Sequence, residues 1–288
     1  MSTRDPLRVR PAAINSAAAL ASLLLYACGP GAEAVGGEVG DQVERAIASG
    51  TESFDHSDWQ GLLDATVVDG FMDYAEMAER RGELDRYLER IGAADLGALT
   101  GDHLKALLIN AYNAYTVVSI LDHPGVESIR EIDGVWKERR HRVGGFEVTL
   151  DEIEHGLLRP YFRDPRIHFV LNCAAWSCPP LPPFAFDGEE GRLDGTLEVQ
   201  TGLFFADPEY ATMRGDKLWL SRILDWYGGD FTAPDAEPRA ETLAGFVARY
   251  APASLRDAIE EAGGDPPIEF FEYDWSLNDA ARLRAPAP

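Results

Sequence analysis

"DHLKALLINAYNAYTVVSIL", residues 102–121, decides the fold class. Wound at 3.6 residues per turn, its apolar side chains point at nearly every angle rather than along one stripe, so the segment is expected at the centre of a folded body. Lys105, Asn110 and Asn113 interrupt it and polar residues flank it, which reads as a core helix and not as a membrane span. Asn110 and Asn113 fall about 60° apart on the helical wheel. Two amides are costly to bury unsatisfied, so they are expected to share one hydrogen-bonding neighbourhood, either as a structural knot or as a wall of a site.

Working outward, residues 42–65 read as two short helices, the second capped by Ser57 or Asp58, and residues 74–92 carry Met77, Leu84, Tyr87, Leu88 and Ile91 at helical spacing. "HRVGGFEV", residues 141–148, predicts a hairpin turning at Gly144-Gly145. "TLDEIEHGLLRPY" follows at once: Thr149 and Glu152 form a capping box, and Pro160 is expected to end the helix near Arg159. On its wheel Glu154 falls on the apolar face with Leu150, Ile153, Leu157 and Leu158, and His155 falls toward the rim. A carboxylate on an apolar face needs a partner or a raised pKa, and Arg166 is one candidate partner. Residues 166–173, "RIHFVLNC", read as a strand. Further on come a helix at 192–205, a hairpin turning at Gly215-Asp216, a helix in "LSRILDWYGGDF" ended by its Gly pair, helices near 239–250 and 254–262, and a strand in "IEFFEYDW", residues 268–275. The class expected is α+β: a helix-rich single domain, residues 42–276, around a small, mostly antiparallel sheet, with a tail at 277–288.

The 288 residues contain 49 acidic and 26 basic side chains, a net charge of −23 that repels phosphate backbones and argues against nucleic-acid partners. The first residues differ from the rest. Arg4, Arg8 and Arg10 precede "AAINSAAALASLLLYAC", residues 12–28, which has the length of a secretory signal core. Its end, with Leu25 three residues before Cys28 and Ala27 just before it, resembles the lipobox of bacterial lipoproteins, although Tyr26 is bulkier than that pattern usually has. That resemblance implies a signal peptide over residues 1–27, acylation of Cys28, palmitate included, and a periplasm-facing place at the outer membrane. Residues 28–41 are Gly-rich and read as a flexible tether to the membrane.

Cysteine number then acquires meaning. Of three cysteines, Cys28 is consumed by the anchor, which leaves Cys173 and Cys178 as an even pair in an oxidising compartment. A disulfide closing the loop "CAAWSC" is the simplest expectation.

The succession "LLINAYNAYTV", "LDEIEHGLLR", "DPRIHFVLNCAAWSCPPL" and "LSRILDWYGGDF" resembles bacterial members of domain-of-unknown-function family 547, over roughly residues 57–252. The resemblance implies a fold neighbourhood and no reaction. By motif match it nominates Asn110, Tyr112, Asn113, Glu154, His155, Arg159, Arg166, His168, Cys173 and Cys178.

Three chemistries are open to these residues: catalysis by a thiol or an acid/base pair, metal binding, and redox exchange by the cysteine pair, which lacks the CxxC spacing that tunes thioredoxin-like thiols. A thiol hydrolase or acyl transferase needs a thiolate and a base within hydrogen-bond reach. If 166–173 is a strand, His168 and Cys173 point oppositely, about 16 Å apart at ~3.3 Å per residue, so Cys178, returned by the loop toward His168 or His155, is the candidate nucleophile. Glu154 and a histidine are the candidate acid/base pair. Zinc is a minor alternative, since His168, Cys173 and Cys178 lack the close ligand spacing of a zinc turn, and no cofactor is favoured. The arginines of the region, Arg159 and Arg166 among them, either attract an anionic ligand or neutralise neighbouring acids. The reading that needs least is a polar pocket, where the 102–121 helix meets residues 150–159 and 166–173, that holds a small ligand or an envelope protein, with the cysteines fixing its rim.

Overall fold

The computed structural model describes residues 35–284. Cys28, the signal peptide and the first half of the tether, residues 28–34, lie outside the described residues. The helix Gly101–Leu121, capped by Thr100 Oγ1 accepting the His103 N–H, runs through the middle of the body. By length and composition it could cross a bilayer, yet 94% of its apolar window is buried by the rest of the chain. Around it pack Trp59, Leu62 and Leu63 of Ser57–Thr66, Met77 of Tyr74–Glu79, and Leu84, Tyr87 and Ile91 of Arg81–Ala93. The hairpin His141–Val143 and Phe146–Val148 closes this core on one side, its turn built from Gly144 and Gly145 at φ 58° and 86°. Two consecutive positive φ values suit the two-residue turn whose twist matches the strands.

A second core is aromatic. Phe204 and Phe205 of the helix Arg192–Ala206, Phe231, and Phe246 of Leu243–Tyr250 gather with Leu218 and Leu220. The last two belong to a three-stranded sheet, in which Ala211–Arg214 runs antiparallel to Lys217–Leu220 and Ile268–Phe270 runs parallel to it. With the short hairpin Val67–Val68 and Phe71–Met72, the architecture is helix-rich α+β with small, mostly antiparallel sheets.

The largest departure from the sequence expectation lies at residues 166–173. Pro165–Phe169 is a 3-10 helix, capped by Asp164 Oδ1 accepting the Arg166 N–H at 3.0 Å, and no strand forms there. The reason is geometric. Ile167 and Val170 belong to the first core, Phe169 to the second, and His168 to a polar cluster between them, all nearly solvent-free. A strand has two faces, whereas three destinations for consecutive residues require about 120° per residue, the repeat of a 3-10 helix.

Other boundaries shift for similar reasons. Helix begins at Gly37, inside the expected tether, because Val39, Val43 and Ala46 bury a face. Val35 also donates its N–H to Gly156 O at 2.9 Å. Pro160 does not stop the chain at Arg159. Arg159–Phe162 continues as helix directly from Glu152–Leu158, and Gly156 O, the carbonyl four residues before Pro160, accepts the Val35 N–H instead. The helix Ile223–Trp226 ends at Tyr227, just before the pair Gly228-Gly229, and the pair itself opens a second short helix, Gly228–Thr232. Only Ile268–Phe270 of "IEFFEYDW" pairs as a strand, and the rest returns over the cysteine loop. Of the expected tail, Asn278 and Ala280 are buried.

Candidate functional site: a polar cluster and a cysteine loop

The capping box holds as read: the Thr149 N–H donates to Glu152 Oε2 at 2.8 Å and the Glu152 N–H to Thr149 Oγ1 at 3.1 Å. Beyond it residues Glu152–Leu158 form a π-helix, a widened turn of the kind that recurs at functional positions. Gly156 lets the N-terminal segment approach, since a Cβ there would meet Val35 Cγ2 at 2.2 Å.

This turn sets Glu154, His155 and Arg159 beside His168. His168 Nε2 lies 2.8 Å from Asp230 Oδ2, and its Nδ1 lies 3.9 Å from Glu154 Oε1. Arg159 clasps the same Asp230 with two donors, Nε at 2.6 Å and Nη2 at 2.7 Å, and its Nη1 lies 2.8 Å from His155 Nδ1. Tyr227 stacks on His168 at 3.9 Å between centroids and lies under the Arg159 guanidinium at 5.2 Å. Burial lowers the His168 pKa despite the opposing pull of Asp230. Burial would raise the Asp230 carboxyl, but the His168 and Arg159 donors overcome it and hold it well below the usual carboxylate range.

The cysteine loop is built by three asparagines. Asn113 Nδ2 donates to Val170 O at 3.0 Å and its Oδ1 accepts the Asn172 N–H at 2.8 Å. Asn172 in turn holds both ends of the loop, accepting from the Ala174 N–H and donating to Pro179 O, each at 2.9 Å. Asn278 donates to Asn172 Oδ1 at 2.9 Å and accepts from the Tyr74 hydroxyl at 2.7 Å. Within this clamp Ala174 sits at φ 62°, a left-handed conformation that costs a residue with a Cβ about 1–2 kcal/mol.

The Cys173 and Cys178 sulfurs lie 2.7 Å apart as two free thiols. Cys178 Sγ also accepts from the Cys173 N–H at 3.1 Å and the Tyr273 hydroxyl at 3.2 Å. Burial pushes the Cys178 thiol up, but the donors around it prevail and bring it below its ordinary value. Its neighbour raises Cys173 well above that value. Tyr112 links the two assemblies: burial raises its phenol, and Glu154, Cys173, Tyr227 and Cys178 all lie within electrostatic reach of it.

A cavity of about 250 Å³ opens beside the loop, away from the expected pocket where residues 102–121 meet 150–159 and 166–173, and none of Asn110, Asn113, Arg159 and Arg166 lines it. Trp176 and Ser177 of the loop form part of its wall, together with Tyr210 and Tyr273. The Tyr210 hydroxyl donates to Cys178 O at 3.0 Å, so both tyrosines tie the wall to this cysteine. Arg214 and Arg222 also line it, with Glu209 and Glu272. Arg222 pairs with Asp225 at 2.9 Å. Arg214 stacks on Trp219 and Phe271, 5.0 and 4.8 Å from their ring centroids, and no carboxylate pairs with it among the described residues.

The nominated residues therefore divide. Glu154, His155, Arg159 and His168 meet in one cluster, and Asn113, Cys173 and Cys178 in the loop. Asn110 serves a third place, pinning Phe186 through its backbone N–H and carbonyl at 3.0 and 2.8 Å, so the two amides do not share a neighbourhood. Arg166 faces Asp164, Asp194 and Glu198, and Lys105 joins it at Asp164; Glu154 is not its partner. Of the other arginines of the region, Arg139 pairs with Asp122, Arg140 with Glu152 and Arg163 with Asp235, whereas Arg130 lies over the Trp275 ring. Neither histidine turns a nitrogen to Cys178: those of His168 face Asp230 and Glu154, and those of His155 face Arg159 and Asp151. Asp230, Tyr227, Asn172, Asn278 and Tyr273 were not nominated. Asp230 and Tyr227 lie in a quoted motif, but an acid after two glycines reads as a turn.

One further group, His103, Asp187 and Glu189, brings potential ligand atoms within 4.8 Å of each other. His103 Nδ1 accepts the Phe54 N–H at 3.4 Å, which leaves the neutral ring's proton on Nε2, toward Glu189. Asp187 is occupied by Arg192 and by the Glu189 N–H. The arrangement anchors the 187–189 loop to the start of the central helix.

No curated protein and no solved structure matches the chain. In agreement with the resemblance read from its motifs, residues 96–204, which hold the central helix, the π-turn and the cysteine loop, match the family model described as "Protein of unknown function, DUF547".

Proposed function

We propose that the chain is an exported, lipid-anchored protein of the bacterial envelope that binds a small anionic ligand in the cavity beside the cysteine loop, with Cys173 and Cys178 joined as a disulfide that holds the cavity's rim. One observation carries the ligand reading. Arg214, set by two aromatic rings at the cavity wall, is a guanidinium with no carboxylate partner among the described residues. Such a group is suited to a carboxylate or phosphate of the ligand. The anchor reading rests on the N-terminal lipobox resemblance and on Cys28. A thiol hydrolase is less well supported, because both histidines near the loop have their nitrogens committed elsewhere.

The test is a thermal-shift titration of the purified protein against a panel of small carboxylates and phosphates, repeated on Arg214→Ala. At least one compound is expected to stabilise the protein, with affinity about tenfold weaker in the variant. Equal shifts in both proteins, or none across the panel, would remove the ligand reading. The anchor is checked in the same work: Cys28→Ser should leave the membrane fraction.

A further inference from the structure

The two cysteines are placed unequally in the loop they close. Cys178 is 3% exposed, with the Cys173 N–H and the Tyr273 hydroxyl both on its sulfur. Cys173 is only partly buried. Asn172 and Asn278 clamp both ends of the loop through contacts that do not involve the sulfurs, so those contacts do not depend on the bond between them. We propose that the pair is a thiol–disulfide exchange site, in which an external dithiol attacks Cys173 and Cys178 departs as a thiolate into its waiting donors. This rests on the disulfide part of the function proposed above.

The step balances as follows. A thiolate of the dithiol attacks Cys173 Sγ, forming a mixed disulfide. The Cys173–Cys178 bond breaks and its electron pair leaves with Cys178 Sγ. The dithiol's second sulfur then attacks the first, expelling Cys173 as a thiolate. The two protons released by the dithiol end on the two cysteines, and the dithiol becomes a cyclic disulfide. Exchange is faster when the departing thiolate is stabilised, and the Cys173 N–H and the Tyr273 hydroxyl, both within hydrogen-bond reach of Cys178 Sγ, supply that stabilisation. Tyr273 also lines the cavity, so the state of the bond reaches the ligand site through one side chain.

Full-length protein purified without reductant is first alkylated in denaturant and mapped by peptide mass. Free Cys173 and Cys178 at that point would overturn both the exchange site and the disulfide rim. Where the bond is present, native protein is treated with dithiothreitol at neutral pH and quenched with iodoacetamide. Reduction is expected within minutes, about tenfold slower in Tyr273→Phe because the departing thiolate loses a donor. With glutathione in place of dithiothreitol, the wild-type adduct is expected on Cys173. A bond that resists dithiothreitol until urea is added, or glutathione found on Cys178, would overturn exchange while leaving the disulfide rim intact.

Discussion

Lowering the pH from 7.5 to 5.0 should destabilise this protein through two buried histidines, above the range in which most carboxylates titrate. His56 hydrogen-bonds the Tyr87 hydroxyl through Nδ1 at 2.8 Å, and His141 stacks on Tyr115 at 4.4 Å. In each ring Nε2 is buried with no hydrogen-bond partner. Burial pushes both down to about 4, with Asp187 and Asp55 opposing and His103 and Arg90 reinforcing at His56, and Arg139 reinforcing and Asp122 opposing at His141. Unfolding restores the ordinary value near 6.5, so between these values the unfolded chain binds protons that the native chain refuses, and stability falls as pH falls. At pH 5.0 each histidine costs about 2 kcal/mol relative to pH 7.5, or about 4 kcal/mol together. His168, lowered by the same cause, adds in the same direction. With a urea m-value of about 3 kcal/mol/M, the midpoint should drop by about 1.3 M or more. His56→Gln and His141→Gln should each remove about half of the two-histidine drop, since neither glutamine titrates. A midpoint that stays level across this range, or a double variant with an unchanged slope, would show that the rings accept protons in place, and the burial argument would fail.

Two other perturbations probe the polar assemblies. Asp230→Ala removes the carboxylate shared by the buried side chains of Arg159 and His168 and should cost about 3–5 kcal/mol in urea unfolding at pH 7.5, with Asp230→Asn losing less; a loss under about 1 kcal/mol would mean the cluster is not held by this carboxylate. Ala174→Gly relieves the left-handed residue, whereas Ala175→Gly has no such strain to relieve, so the first should be more stable than the second by about 1–2 kcal/mol in the same assay.

Much of the helical framework was legible because it follows from local periodicity. The 102–121 segment is apolar on every side and is buried on every side, and the Gly144-Gly145 and Gly215-Asp216 turns fix their hairpins from within. The polar cluster was half legible: Glu154 stood out on an apolar face and does face His168. Its other half was not, since Asp230 lies 62 residues beyond His168 and is recruited only when the second core packs Phe231 against Phe169. The cysteine loop hid its supports in the same way. Asn172 looked like one more polar position of a strand, and Asn278 and Tyr273 lay in a segment read as tail and strand, although both reach the loop through tertiary contacts.

The 3-10 turn at Pro165–Phe169 ties these assemblies together physically. Were residues 166–173 extended, His168 would share a face with Val170 and Asn172, and the polar cluster and the loop would draw on one surface. The three-fold turn sends His168 toward Asp230 and Glu154, leaves the Val170 carbonyl to Asn113, and delivers Asn172 to the start of the cysteine loop. Consecutive residues thus serve an acid/base cluster, two apolar cores and a thiol loop. A displacement of this short segment is consequently felt at all of them, which is why His168 is better understood as a strut than as a base aimed at Cys178. The chemistry of the sulfurs is left to Tyr273 and the loop backbone, the groups that actually touch them.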